Sequence, residues 1–135
     1  MIEVELNKII IDEKRPDQII VLKEKQGERV LPIIIGMVEA SSIKMKLTGF
    51  EPPRPMTHDL LRSAVDALGG KLEKVIIDKF ENNTFYAKLV LTQSGALKVI
   101  DSRPSDAVAL AVRTKSQIFV EEEVLKNAEF QKKDF

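Results

Sequence analysis

Three apolar runs separated by short turn signals fill the first 36 residues, and this arrangement limits the fold more than any other feature of the chain. Ile2, Val4 and Leu6 alternate with Glu3, Glu5 and Asn7, the period-2 pattern of a strand buried on one face. The run continues through Ile9, Ile10 and Ile11, and Asp12 to Asp17, with Pro16, forms a turn. Ile19 to Lys23 reads as a second strand, Gln26-Gly27-Glu28 as a hairpin turn and Val30 to Ile35 as a third strand. The third is apolar on both faces, which predicts a central position, with an irregularity at Pro32.

After Gly36 the period changes. Ala40, Ile43, Leu47 and Phe50 recur at helical steps, with Glu39, Ser42 and Lys46 on an opposing polar line. Gly49 is a helix stop. Glu51-Pro52-Pro53-Arg54-Pro55 follows, and its prolines reduce the entropy lost on fixing a loop shape. Thr57 is the predicted N-cap of a second helix, with Asp59 in its first turn and an apolar stripe of Leu60, Leu61, Ala64, Val65 and Leu68. Leu72 to Phe80 and Thr84 to Thr92 form a hairpin around Asn82-Asn83, and Ser94-Gly95 turns into a strand over Leu97 to Ile100. Asp101 to Asp106 opens a third helix, with Pro104 at its first position and an unbroken apolar stretch from Ala107 to Val112. That stretch predicts a helix buried on most sides, or one with a face covered by a second subunit. A short strand over Ile118 to Val120 and a helix over Glu121 to Ala128 complete the pattern.

Strands and helices are mixed without strict alternation and several strand pairs are hairpins. The expectation is an α+β fold with a mixed, largely antiparallel sheet and helices packed against it. The 135 residues contain no linker, which predicts one domain over residues 1–128 and a C-terminal tail over 129–135. No apolar run approaches the ~20 residues that span a bilayer. With no basic, apolar leader at the N-terminus, the expected location is cytoplasmic and away from membranes.

Composition narrows the chemistry. The chain has no Cys and one His, which removes thiol nucleophiles, cysteine zinc sites and two-His metal sites. Its 21 basic and 21 acidic residues cancel, so any contact with a polyanion depends on a local basic patch. Glycine patterns for dinucleotides or phosphates are missing, and no nucleotide cofactor is expected. Polar residues with chemical potential gather at Glu39, at Arg54 to Asp59, and at Asp101 to Asp106. The last two share a form: an Arg-Pro pair, a helix start and an acid in the first turn. Such ends favour anions. The same residues also suit ordinary capping and ion pairing, and adjacent His58 and Asp59 diverge by about 100° on a helix.

Arg54-Pro55-Met56-Thr57-His58-Asp59-Leu60 and Asp101-Ser102-Arg103-Pro104-Ser105-Asp106-Ala107 together resemble the bifunctional nuclease family. Further matches are Leu31-Pro32-Ile33, Ile35-Gly36, Glu39-Ala40, Thr84-Phe85-Tyr86-Ala87 and Ile118-Phe119-Val120, so the likeness runs from about Ile2 to Ala128. The resemblance implies an α+β fold, a homo-oligomer, and nuclease activity on DNA and RNA.

Phosphodiester hydrolysis needs an activated water, stabilised phosphate charge and help for the leaving oxygen. Carboxylate-held Mg²⁺ or Mn²⁺ supplies much of this, and with no Cys zinc is not expected. The expected metal ligands are Glu39, Asp59, Asp101 and Asp106. The expected catalytic residues are His58, Asp59, Asp101 and Asp106, with His58 as acid or base. Arg54 and Arg103, with Thr57 and Ser105, are the expected substrate-binding residues. The alternative is a non-catalytic homo-oligomeric module that binds a small anion, a nucleotide or a protein partner.

Overall fold

A computed structural model describes residues 1–128. The predicted tail, 129–135, lies outside the described residues. In chain order the elements are β1 (Ile2–Ile10), β2 (Asp17–Glu24), β3 (Val30–Gly36), α1 (Met37–Thr48), α2 (Thr57–Ala67), β4 (Gly70–Glu81), β5 (Thr84–Gln93), β6 (Ala96–Ser102), α3 (Pro104–Thr114), β7 (Gln117–Val120) and α4 (Glu122–Ala128). The strands described form one sheet in the order β3-β2-β1-β7-β4-β5-β6. It consists of two antiparallel three-stranded meanders, joined where β7 lies antiparallel to β1 and parallel to β4. The fold is therefore α+β, as the mixed pattern predicts.

Turn chemistry sets these registers. Asn82 and Asn83 (φ 52° and 58°) and Ser94 and Gly95 (φ 51° and 79°) are left-handed pairs, the backbone that two-residue hairpin loops need. Alternate residues of the strands then build one buried face. Val4, Ile20, Leu22, Leu31, Ile33, Val75, Ile77, Ala87, Leu89, Ile118 and Val120 all belong to a single core with α1, α3 and α4. The sheet curls, since α4 packs on both β3 and β4 although β2, β1 and β7 lie between them.

Two expectations change. β3 is an edge strand, not a central one. Pro32 fits there, because an edge strand has one side with no ladder bond to lose, and the curl together with α4 provides the burial of its apolar face. The stripe of α2 is mostly outside the core: Leu60 and Leu68 are 62% and 72% exposed, and His58 is the buried residue of that helix. By contrast, α3 is central. It contacts α1, α2, β4, β5 and β7, so its own chain covers the apolar run. Each fully buried side chain there, such as Leu110, contributes about 1.5–3 kcal/mol relative to exposure.

Candidate functional site

The polar line of α1 faces inward at Ser42, toward α2 and α3. Five Asp, Glu and Arg side chains there, with His58 and Ser42, form a continuous network. The Arg103 guanidinium donates to both oxygens of Asp106 (2.9 and 3.2 Å) and to Glu39 Oε1 (3.2 Å). Asp106 Oδ1 lies 2.9 Å from His58 Nε2, and His58 Nδ1 lies 2.7 Å from Ser42 Oγ. Arg113 donates to Ser42 Oγ (3.0 Å), to the Ser42 carbonyl (3.2 Å), to the Ala109 carbonyl (2.9 Å) and to Asp59 Oδ1 (2.7 Å). Asp59 Oδ2 in turn accepts the Met56 N–H at 3.3 Å.

The donor directions can be followed along this path. An ionised carboxylate only accepts, so Nε2 of His58 carries the proton shared with Asp106. In the neutral ring Nδ1 then accepts the Ser42 hydroxyl, whose oxygen takes an N–H from Arg113. This is a Ser–His–Asp sequence in space, but Ser42 and His58 are both buried and Ser42 is fully engaged. The arrangement orients Asp106 and does not present a serine nucleophile. Burial pushes the carboxyls of Asp59 and Asp106 up. The guanidinium of Arg113 for Asp59, and Arg103 with His58 for Asp106, outweigh it and hold both below the usual carboxylate range.

The structure brings together Glu39, His58, Arg103 and Asp106, and reaches Asp59 through Ser42 and Arg113. It does not bring in Asp101, which belongs to β6 and not to the helix start. Asp101 stands opposite Lys88 in the β5–β6 ladder, while Leu89 and Ile100 occupy the other face. Leu89 belongs to the core beneath α3, so Asp101 points to the opposite side of the sheet, where it accepts from Lys88 Nζ at 3.1 Å. Arg54 is exposed and makes no ion pair among the described residues. Thr57 is the first helical residue, with Met56 as N-cap, and its side chain makes no capping bond. Among the described residues, no three acidic or His side chains gather as a metal centre.

Two hollows flank the network. One, of about 400 Å³, lies under the proline loop beside Lys46, Asp59 and Arg113. The other, of about 640 Å³, is lined by Glu39, Arg103 and Ser105, by Ile33 to Gly36 of β3, and by the tip of the β4–β5 hairpin. Here the fold builds a parallel different from the Arg-Pro one in the sequence. α1 and α3 each begin directly where the third strand of a meander ends, and the residues at both starts line this one hollow.

A model of the bifunctional nuclease domain matches residues 20–133. The chain belongs to this family. Among its relatives is an uncharacterised protein of Mycobacterium tuberculosis, 43% identical over 126 residues, which cover 93% of this chain and 75% of that protein. Bifunctional nuclease 2 of Oryza sativa subsp. japonica is 32% identical over 114 residues, and bifunctional nuclease 1 of Arabidopsis thaliana is 31% identical over 109. These matches cover 82% and 78% of this chain but about a third of each plant protein, 35% and 34%.

In this bifunctional nuclease domain, sequence reasoning missed the role of two network members. Ser42 reads as part of a solvated line, and Arg113 directly follows an apolar run. The available signal was the run itself. A helix apolar from Ala107 to Val112 is buried, so a charge one position later is drawn into the same interior and must find partners there.

Proposed function

We propose that this domain hydrolyses phosphodiester bonds of DNA or RNA at the hollow beside Arg103. The observation that carries the reading is the Glu39–Arg103–Asp106 arrangement on the rim of that hollow. Arg103 is 64% exposed, so its guanidinium can turn from the carboxylates to a phosphate and bind two oxygens at once. The amides at the start of α3 add donors for the same anion. His58 is a positioning residue, which fixes the Asp106 carboxylate through Nε2.

Glu39 and Asp106 already share one cation, the Arg103 guanidinium. That donor set fits a single hard divalent cation completed by water and phosphate oxygens, the usual manner of Mg²⁺. It does not fit zinc, which favours nitrogen and sulfur ligands. When bound, such an ion supplies charge stabilisation and a more acidic water. Asp59, tied to Arg113, supports this pair from behind, and Asp101 belongs to a different face.

A second copy of the chain is proposed to cover β6 and α2, giving a homo-oligomer. β6 is an apolar edge strand with Leu97 65% exposed, and an uncovered edge of that kind favours pairing with another strand. Among the described residues no helix is long and apolar enough to cross a membrane.

The non-catalytic reading has its own support: Glu39, Asp59 and Asp106 are each paired with Arg or His. It predicts anion binding without turnover. The deciding experiment is cleavage of single-stranded DNA and RNA with Mg²⁺, Mn²⁺ or EDTA. Wild type, Arg103→Gln and Asp106→Asn are purified in parallel to expose contaminating nuclease. Loss of cleavage in both variants supports the nuclease; equal activity in all three preparations removes it.

A further inference from the structure

The hollow beside Arg103 has a second wall that phosphate chemistry does not use. Phe80 near the end of β4 and Phe85 at the start of β5 are direct cross-strand partners. Their ring centroids are 4.3 Å apart at 37°. Both rings are half-buried and both line the hollow, with Asn83 and Thr84 beside them at the exposed hairpin tip. Ile33 and Ile35 contribute apolar surface from β3. The chain has 6 Phe, 1 Tyr and no Trp, so two of its seven aromatic rings stand at this one place.

The hollow thus combines an exposed guanidinium, an aromatic and aliphatic wall, and short polar side chains. Its volume of about 640 Å³ lies within the range of pockets that enclose a small organic ligand. A nucleotide presents the matching parts: an anion, a flat π-face and an edge of hydrogen-bonding groups. A base inside a duplex keeps both faces stacked and has to leave the helix to enter such a pocket. An unpaired base needs no such opening, and stacking on an aromatic ring is tolerant of base identity.

We infer that this hollow seats an unpaired nucleobase next to the phosphate held by Arg103, so that the domain engages nucleic acid as a single strand. The inference rests on the nuclease reading for the phosphate at Arg103; the base seat itself is carried by the two rings and the hollow.

The test uses the full chain and three fluorescein-labelled probes: pentathymidylate, a chain of five abasic sites, and a short hairpin duplex. Binding is followed by anisotropy in Mg²⁺ and in EDTA, and gels report whether each probe stays intact. Pentathymidylate is expected to bind at least tenfold more tightly than the abasic chain or the duplex. Phe85→Ala, and the better-packed Phe85→Leu, should weaken it about five- to hundredfold, the ordinary range for one base–aromatic stack. The same variants should leave the weak abasic binding unchanged, and Phe50→Ala, in the other hollow, should match wild type. Equal affinity for pentathymidylate and the abasic chain overturns the base seat, even if cleavage is observed. Preference for the base-bearing strand, lost in Phe85→Leu, sustains it even if no probe is ever cut, and in that case only the nuclease reading fails.

Discussion

Replacing Arg113 with Met should destabilise the domain more than any other single change in the polar network. The guanidinium is buried, its residue only 4% exposed. It satisfies Asp59 Oδ1, the Ala109 carbonyl, and both oxygens of Ser42. Its own carbonyl takes an N–H from Arg62 at 2.6 Å. Removing one partner of a buried ion pair costs about 3–5 kcal/mol, because the other charge stays behind unpaired. The Asp59 side chain keeps 36% of its surface in water, so it can partly resolvate, and the lower end, about 3 kcal/mol, is expected. Arg113→Lys recovers little of this, since a single ammonium cannot reproduce the fork that reaches three residues.

Urea unfolding followed by circular dichroism gives the measurement. With a slope of about 1–3 kcal/mol per molar for a small domain, the midpoint of Arg113→Met should fall by about 1–3 M with the slope unchanged. Asp59→Asn should also destabilise, and the double variant should be less destabilised than the sum by at least about 1 kcal/mol, as expected for directly bonded residues. Two results would refute the reasoning: a loss below about 0.5 kcal/mol in Arg113→Met, or strict additivity in the double variant.

Four further outcomes follow from the same geometry. In cleavage assays Asp106→Asn should lose at least about 100-fold in rate, as removal of a charge-stabilising group does, while Asp101→Asn, on the other sheet face, should match wild type. A methyl added at Gly36 would lie 2.7 Å from Glu39 Oε2; Gly36→Ala should therefore displace that carboxylate and reduce activity while moving the unfolding midpoint little, because only the end of a flexible side chain must yield. Asp59 and Asp106 are held below their ordinary carboxyl value of 3.8, so their contribution to stability is complete above that value and lost as pH falls through the lowered folded values; an acid titration of urea midpoints should show the decline setting in as pH falls below 3.8 and shallower in Arg113→Met. Light scattering behind size exclusion should report more than one copy per particle for wild type and a smaller particle for Val99→Lys in β6; a monomeric wild type would remove the oligomer proposal.

The fold was legible because its punctuation is chemical. Asn82-Asn83, Ser94-Gly95 and Gly49 occupy left-handed backbone positions that few other residues tolerate. Pro104 stands at the first helical position of α3, as its missing N–H suggests. Periodicity, however, reports which face of an element is apolar and not what covers it. The stripe of α2 and the two-sided apolar run of β3 have similar local signals to core elements. In the structure α2 is largely uncovered, and β3 lies at an edge buried by curl and α4. Those outcomes depend on how distant strands are ordered, which no local window contains.

The site was legible by residue type and not by grouping, for a related reason. Glu39, His58, Arg103 and Asp106 share one network across 67 positions of sequence, yet Asp101, two residues before Arg103, is excluded. Strand parity decides this. Successive residues of β6 alternate between faces, so Asp101 joins Lys88, whereas Arg103 follows the strand and turns with the start of α3 toward α1. A motif such as Asp101-Ser102-Arg103-Pro104-Ser105-Asp106 therefore does not act as one unit. Its first acid holds the outer face of an edge hairpin, and its last acid organises the interior between three helices. If both acids proved essential for cleavage while each variant stayed folded, that division would be wrong, and the substrate would have to reach around the β6 edge to touch both faces at once.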